Sequence, residues 1–285
     1  EKAHTPAMDA LAREGQSGTL LTLPEGYPTS SEVANMSVLG CDLATEYCGR
    51  GPLEAAGRNL TLRPTDIAFR LNLTAQDNGI LTDYSGGHIA PADAETAVTA
   101  LNQAFGSESV AFHPGVSYRT LLILDGRRFS TRIKTEKPDD HQGDPVEACR
   151  PRALEAEAQS TADWLTELMR KAPAVLEALP FNRRRREEGH PQANGVWPWS
   201  GGKAGALRSL ADKYGISGAV ISAVDVIVGL GRCLGLEVIS VPGATGYIDT
   251  NYEGKAQAAI EALRRHDLVY LHLEAIDEVS HEGRL

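Results

Sequence analysis

Residues 218–224 read GAVISAV, and this short apolar run decides the fold class. Two runs of the same kind follow, EVISV at 237–241 and DLVYLHL at 267–273, with a helix-like segment at 256–265 before the second. Buried strands that alternate with helices are typical of a mostly parallel sheet. The chain from residue 195 onward is therefore predicted to be α/β, with functional side chains beyond the carboxyl ends of the strands.

The middle of the chain has the pattern of an α+β unit. The segment 67–73, IAFRLNL, alternates with a period of two, which predicts a strand with Arg70 and Asn72 on one face. Further predicted elements are a helix at 91–105, strands at 109–112 and 118–124, and a helix at 155–179. Pro173 is expected to kink that last helix or to split off its final turns.

The predicted architecture is a discontinuous core, 1–56 and 191–285, that carries an inserted α+β domain, 57–190. The core is expected to open with a helix around 8–12, a strand at 19–23 and a helix at 33–39. The charged loop 134–152 and the arginine run 183–186 are predicted to be the seams of the inserted domain.

Composition excludes several functional classes. The 285 residues carry 28 Lys and Arg against 38 Asp and Glu, a net charge of −10, which argues against nucleic acids or anionic membranes as partners. The sequence contains no run of about 18 apolar residues, which is the length that a membrane-spanning helix needs. Four scattered cysteines favour reduced thiols, and a cytoplasmic location is expected.

Ser31 is a candidate phosphate-binding residue. It follows a turn-rich stretch and precedes the helical run at 33–39, where free backbone N–H groups favour a phosphate. The alternative is that this serine only caps the helix.

The end of the third α/β strand is a candidate metal site. Asp277 and His281 are four residues apart, so one helical turn would direct both toward one point. A carboxylate with an imidazole suits zinc or manganese. The alternative is a solvated helix start with Asp277 near its cap.

Candidate anion-binding residues lie in the first half of the chain: Arg50, Arg70, Arg119, His88 and His141. Arginine recognises carboxylates and phosphates through its planar fork of N–H groups. Two glycine-rich segments are weaker candidates. SGGKA at 200–204 lacks the hydroxyl residue of a phosphate loop, and GLGRCLG at 229–235 has its third glycine one position late.

Taken together, these segments resemble the archaeal-type cofactor-independent phosphoglycerate mutases, of the alkaline phosphatase superfamily. The matching segments are SEVANMSVLGCD (31–42), YCGRGPLEA (47–55), DIAFRLN (66–72), SYR (117–119), ANGVWPW (193–199), PGATG (242–246), DTNY (249–252) and DEVSH (277–281). The resemblance covers essentially the whole chain.

The resemblance implies an isomerase of glycolysis and gluconeogenesis with an alkaline-phosphatase-like core. Ser31 matches the phosphoryl acceptor and a metal ligand, while Asp277 and His281 match further ligands. Arginines recognise the substrate in that family, and the resemblance gives this role to Arg50, Arg70 and Arg119. It gives Lys203 the role of a catalytic cation. The implied cofactors are two divalent metals, manganese or zinc, with magnesium or cobalt as alternatives, and no 2,3-bisphosphoglycerate. The implied partner is a small phosphorylated acid, with oligomerisation left open.

The chain also departs from that family. The first metal-bearing strand would precede Glu1 and further ligands would follow Leu285, so we expect a longer enzyme. Ser30 stands where many relatives have glycine, and Cys41 where tyrosine is commoner. Two alternatives remain: another metal-dependent phosphotransferase or phosphohydrolase of the superfamily, and a truncated, catalytically silent chain that binds phosphorylated acids.

Overall fold

A computed structural model describes residues 4–203, 205, 207–281 and 283, which form a mixed α/β protein. The helices are α1 (Pro6–Glu14), α2 (Ser31–Val38), α3 (Leu43–Glu46), α4 (Arg50–Gly57), α5 (Pro91–Phe105), α6 (Gln159–Leu176), α7 (Pro180–Glu187), α8 (Leu210–Tyr214), α9 (Asp225–Cys233), α10 (Tyr252–Ala262) and α11 (Ala275–His281). The strands are β1 (Asp66–Asp77), β2 (Ile80–Asp83), β3 (Val110–His113), β4 (Arg119–Asp125), β5 (Ile133–Lys134), β6 (Arg152–Ala153), β7 (Gly195–Lys203), β8 (Gly218–Ile221), β9 (Glu237–Val238) and β10 (Leu268–Leu271). None of these helices is both long and apolar enough to cross a membrane.

The long strand β1 is the centre of an antiparallel sheet. It pairs with β4, which pairs in turn with β3, and it pairs with β7 and, at its end, with β2. Ile67, Phe69 and Leu71 lie on the face that packs with the buried side chains of α5 and α6. The predicted strand and its apolar face are confirmed, because a period of two places alternate residues on one side.

The opposite face of β1 is also buried. Arg70 is 3% exposed and Asn72 is 1% exposed. Helix α4 covers this face so closely that a Cβ on Gly51 would lie 2.1 Å from the backbone oxygen of Ala68. The absence of a side chain at Gly51 therefore allows a helix from the first 57 residues to pack on the sheet of the middle segment.

The second main sheet is parallel, with the strand order β10-β8-β9. Its strands are the three that the sequence predicts from 218 onward, so the parallel α/β arrangement is confirmed. Helix α9 packs between this sheet and α4, where a Cβ on Gly229 would lie 1.7 Å from the backbone oxygen of Leu53. The helix pair α4 and α9 thus connects the two sheets.

One local prediction is wrong. Residues 19–23 form no strand, and Leu20 and Leu21 are exposed; a strand needs a hydrogen-bonded neighbour, which this segment lacks within the described residues. Helix α6 continues through Pro173 to Leu176, so Pro173 does not split off its last turn, whereas a kink at Pro173 stays a prediction. The arginines at 183–186 lie in α7, which Phe181 anchors in the core, and their place at a seam of the inserted domain stays a prediction.

The strand β7 pairs outside the segment to which it is predicted to belong. Its hydrogen bonds join it to β1, in the sheet of the middle segment, although the sequence places residues 195–203 with the core. Its Trp197 and Trp199 belong to the same apolar cluster as the apolar face of β1. The two-domain division and its boundaries remain a prediction.

Candidate active site

A buried carboxylate on α4 organises the arginines that the sequence singles out. Glu54 accepts from Arg50 Nε at 2.7 Å and from Arg58 Nη2 at 3.3 Å, and its other partner is Arg70. Burial opposes ionisation of Glu54, but the charges of Arg70, Arg50 and Arg58 outweigh it and lower its pKa to about 2. One buried negative charge therefore holds three positive ones in place.

Arg70 keeps part of its hydrogen-bonding capacity unused. Its Nε is buried and has no hydrogen-bond partner within the described residues. Burial lowers the pKa of Arg70 to about 10; the charges of Arg50 and Arg119 act in the same direction, against that of Glu54. An unsatisfied buried donor next to like charges is a site where an anion would be stabilised.

Trp199 on β7 packs against two of these arginines. The guanidinium carbons of Arg50 and Arg70 each lie 5.6 Å from the centre of its ring. The indole N–H donates to Asn72 Oδ1 at 3.0 Å, and Asn72 donates to the backbone oxygen of Tyr84 at 3.0 Å. The ring shields both guanidinium groups and fixes their planes, which favours directional anion binding.

Arg119 lies on the same face of the sheet as Arg70, because it pairs with Asn72 across β1 and β4. Its guanidinium carbon is 5.3 Å from the centre of the Tyr118 ring. His88 packs edge-on against that same ring, with the centroids 6.2 Å apart. The structure thus gathers Arg50, Arg70 and Arg119 and puts His88 at their margin.

His141 lies in a 3₁₀ turn, Pro138–His141, beside the same strands. It stacks on Trp197, with ring centroids 6.4 Å apart and planes inclined by 21°, and its Nδ1 is 2.9 Å from Asp144 Oδ2. Asp139 of this turn acts electrostatically on Arg50. The turn therefore adjoins the arginines, but His141 itself is engaged with Trp197 and Asp144.

A second polar cluster lies just beyond the carboxyl end of β10. Carboxylate oxygens of Glu274, Asp277 and Glu278 lie within 4.8 Å of one another, and His272 Nε2 is 3.1 Å from Glu274. Asp277 is thus placed in an oxygen-rich group suited to a divalent cation. His281 ends α11, and its side chain lies outside the described part of the structure.

Electrostatics connects the two clusters. Burial raises the pKa of Glu274, and the negative charges of Asp277 and Glu278 raise it further. The positive charges of Arg50 and Arg119 oppose that shift. Glu274 therefore lies within electrostatic range of Arg50 and Arg119, and the space between these three residues is called the common region below.

Ser31 is the first residue of α2, and Ser30 holds the N-cap position. Neither serine caps the helix by a side-chain hydrogen bond there, and the Ser30 hydroxyl is buried without a partner among the described residues. The first helical hydrogen bond runs from Ala34 N–H to Ser30, so the N–H groups of residues 31–33 have no partner within the helix. Ser31 thus lies beside free backbone donors.

Two contacts bring α2 to the common region. The Tyr270 hydroxyl on β10 donates to the side-chain oxygen of Asn35, whose amide donates to the Ser31 carbonyl at 2.7 Å. Glu32 Oε2 is 3.8 Å from Arg50 Nη1, the arginine that acts on Glu274. The resemblance implies that Ser31, Asp277 and His281 lie within about 10 Å of one another, the reach of a metal-bridged cluster, and this spacing stays a prediction.

The glycine-rich segments have different roles. Residues 229–235 fall largely in α9, where Gly229 allows close packing on α4, so no dinucleotide-binding turn forms. Lys203 ends β7 on the surface, three residues after Ser200, whose hydroxyl accepts from the Arg50 N–H at 2.9 Å. The catalytic role of Lys203 stays a prediction.

Comparison with known proteins decides the family. The model of 2,3-bisphosphoglycerate-independent phosphoglycerate mutases matches residues 12–182. The chain is 45% identical over 285 residues to the mutase of that name from Methanosarcina acetivorans, and 46% identical over 289 residues to a probable one from Geobacter sulfurreducens. In both alignments it is covered completely and spans 70% of the relative's length.

The chain belongs to the 2,3-bisphosphoglycerate-independent phosphoglycerate mutase family. Two solved structures are similar: the cofactor-independent mutase from Thermoplasma acidophilum, with 30% identity and a TM-score of 0.58, and the PH0037 protein from Pyrococcus horikoshii, with 28% identity and a TM-score of 0.75. The alignments cover 86% and 99% of this chain, and 64% and 66% of those chains. The resemblance read from the sequence is confirmed, and with it the enzyme class, an isomerase.

Three charged residues near the common region were not predicted from the sequence: Glu54, Glu274 and Lys255. Glu54 stands inside the matching segment 47–55 and Glu274 follows the predicted strand 267–273, but a single carboxylate next to apolar residues gives no local signal. Lys255 is 1% exposed, and its Nζ is 3.4 Å from the backbone oxygens of both Thr245 and His272. Burial lowers the pKa of Lys255, against the charge of Glu274.

Proposed function

We propose that this chain interconverts 3-phosphoglycerate and 2-phosphoglycerate through phosphorylation of Ser31. One observation carries the proposal. Arg50 and Arg70 share the buried Glu54, and Arg50 and Arg119 act electrostatically on Glu274, although Arg50 and Glu274 are 224 residues apart along the chain. A substrate with a phosphate and a carboxylate needs several positive charges in one place.

The arginines would bind the substrate. The unpartnered Nε of Arg70 and the Arg50 guanidinium, both beside Trp199, provide the rigid donors, and Arg119 provides a further positive charge. Glu54 holds Arg50 and Arg70 in place, so little side-chain freedom is lost when the anion binds. His88 at the Tyr118 ring and His141 at the Trp197 ring would border the same pocket.

The donor set after β10 fits a divalent metal. Glu274, Asp277 and Glu278 offer carboxylate oxygens within 4.8 Å of one another, and a cation would relieve the repulsion among them; burial, and then the charges of Asp277 and Glu278, raise the pKa of Glu274. We assign Ser31, Asp277 and His281 to the metal ligands, with manganese or zinc favoured over magnesium or cobalt. When bound, such ions would lower the pKa of the Ser31 hydroxyl and offset phosphoryl charge.

The proposed reaction moves the phosphoryl group from one oxygen of the glycerate to the other by way of Ser31. Ser31 Oγ attacks the phosphorus, the bond from phosphorus to the substrate oxygen breaks, and the serine proton is transferred to that oxygen. The N–H groups of residues 31–33 stabilise the phosphoryl oxygens at the start of α2. The other hydroxyl of the bound glycerate then takes the group back from phosphoserine, so no 2,3-bisphosphoglycerate is consumed.

The remaining parts of the assignment follow from that reaction. We propose that the parallel sheet β10-β8-β9 with α2, α9 and α10 is the alkaline-phosphatase-like core, and that the antiparallel sheet is the substrate-recognition domain. The reaction belongs to glycolysis and gluconeogenesis, pathways of the cytoplasm.

The test is turnover of 3-phosphoglycerate with added manganese, in an assay coupled to enolase. Ser31→Ala should lower kcat by a factor of about 10³ or more, because the acceptor oxygen is lost. The matched control is Ser37→Ala, the same change on the same helix, which should keep kcat within about threefold.

Acid-quenched protein should carry one phosphoryl group on the peptide that contains Ser31. Release of inorganic phosphate without 2-phosphoglycerate would instead identify a phosphohydrolase. Binding of 3-phosphoglycerate without turnover by wild-type protein in the presence of manganese would identify a silent phospho-acid-binding chain.

A further inference from the structure

A second group of metal-ligating side chains lies outside the carboxylate cluster. His141, Asp144 and Cys149 bring ligand atoms within 4.8 Å of one another. They lie on two 3₁₀ turns, Pro138–His141 and Val146–Cys149, and on the short link between them. The three donors are an imidazole, a carboxylate and a thiol, a mixed set unlike the all-carboxylate group after β10.

The backbone of this segment is held by the β1–β2 hairpin. The Gly143 N–H donates to the Leu81 carbonyl at 2.7 Å, and the Leu81 N–H donates to the Asp144 carbonyl at 3.0 Å. The Val146 N–H donates to the Gly79 carbonyl at 2.9 Å. These hydrogen bonds fix the positions from which the three side chains start, which reduces the entropy lost when a ligand orders them.

The side chains themselves are oriented toward one another. The imidazole of His141 is stacked on Trp197, and its Nδ1 is 2.9 Å from Asp144 Oδ2. Cys149 is a free thiol, 5% exposed, whose sulfur forms no hydrogen bond within the described part of the chain. A buried sulfur without a partner next to an imidazole and a carboxylate is a ready ligand.

The distances suit a small, borderline-soft cation. Zinc bonds of about 2.0 to 2.3 Å in a tetrahedron put ligand atoms about 3.3 to 3.7 Å apart. The three ligand atoms are within 4.8 Å of one another, and His141 Nδ1 and Asp144 Oδ2 are 2.9 Å apart, so side-chain rotations that shift them by about 1 Å would give this spacing. Thiolate with imidazole selects zinc over manganese or magnesium.

We propose that His141, Asp144 and Cys149 bind one zinc ion, with water as the fourth ligand. The ion would tie the turn Pro138–His141 to the turn Val146–Cys149. Asp139 lies in the first turn and acts on Arg50, so the zinc would hold this charge in place beside the arginines. The site requires neither Ser31 nor Asp277, and the proposal therefore does not depend on the proposed mutase chemistry.

Cobalt is the probe, because a thiolate ligand gives Co²⁺ an intense near-ultraviolet charge-transfer band that carboxylate ligands do not give. Titration of the chelator-treated protein with Co²⁺ should produce this band with a stoichiometry of one. Added Zn²⁺ should abolish it by displacement. Failure of the wild-type protein to develop the band would overturn the proposal, whatever its mutase activity.

Single-cysteine variants identify which sulfur binds the metal ion. Cys149→Ser should remove the band, and the matched control Cys233→Ser, a half-buried free thiol in α9, should keep it. Asp144→Asn, at an exposed carboxylate, should raise the Co²⁺ concentration needed for half of the thiolate band at least tenfold and should leave folding intact. A band that survives Cys149→Ser, or an unchanged Co²⁺ titration of the band in Asp144→Asn, would also refute the assignment.

Discussion

Replacement of Glu54 by glutamine should destabilise the protein and change its response to acid. Glu54 is 2% exposed and is the shared partner of Arg50, Arg58 and Arg70. Lowering its pKa from 4.5 to about 2 corresponds to about 3 kcal/mol of folding free energy at neutral pH. Loss of one member of a buried charge cluster typically costs about 3 to 5 kcal/mol, so Glu54→Gln should lie in that range.

The lowered pKa of Glu54 determines in which direction its contribution to stability changes with pH. A carboxyl whose pKa is lower in the folded state contributes stability above its unfolded pKa, and this contribution is lost as the pH falls toward the folded value. Wild-type protein should therefore lose the Glu54 contribution between about pH 4.5 and 2. Urea unfolding followed by tryptophan fluorescence at pH 7, 5 and 3 should show the gap between wild type and Glu54→Gln shrinking by about 2 kcal/mol at pH 3.

The control is Glu167→Gln. Hydrogen bonds from Arg170 and Lys171 lower the pKa of Glu167 to about 2 as well, but this carboxylate is exposed on α6. Solvent screens such pairs, so the variant should unfold at the same urea concentration as wild type. The reasoning fails if Glu54→Gln is as stable as wild type at pH 7, or if the gap is constant from pH 7 to pH 3.

Three further changes test other parts of the structure. Arg119→Ala should lower kcat/KM for 3-phosphoglycerate about 10- to 100-fold, from the loss of one charged hydrogen bond, while the exposed control Arg128→Ala should leave it unchanged. Asp277→Asn should weaken Mn²⁺ binding about 10- to 100-fold in a titration followed by electron paramagnetic resonance; equal affinity would remove Asp277 from the site. Gly229→Ala should lower the Tm by several degrees or more, because the new Cβ meets the α4 backbone at 1.7 Å, whereas Gly18→Ala, with nothing within 4 Å, should not.

Local sequence patterns were sufficient to predict most of the helices and strands. The alternation at 67–73 predicted β1, and the three apolar runs after 218 predicted β8, β9 and β10 in a parallel sheet. These predictions succeed because the spacing of apolar side chains indicates which face of a helix or strand is buried. That spacing can be read from a short stretch of consecutive residues. The segment 19–23 has the same apolar character and forms no strand, since a strand also needs a neighbour that no local pattern supplies.

The family and the identity of the chemical groups can be read from the chain alone: a serine at a helix start, three arginines, and Asp277 with His281 after a strand. Which of these groups meet depends on the tertiary fold. Arg70 pairs with Glu54, Trp199 from β7 lies over two arginines, and Glu274 lies within electrostatic range of Arg50. A buried charge needs a partner wherever the fold supplies one, here from 16 positions away for Glu54 and Arg70, and no local spacing records that distance.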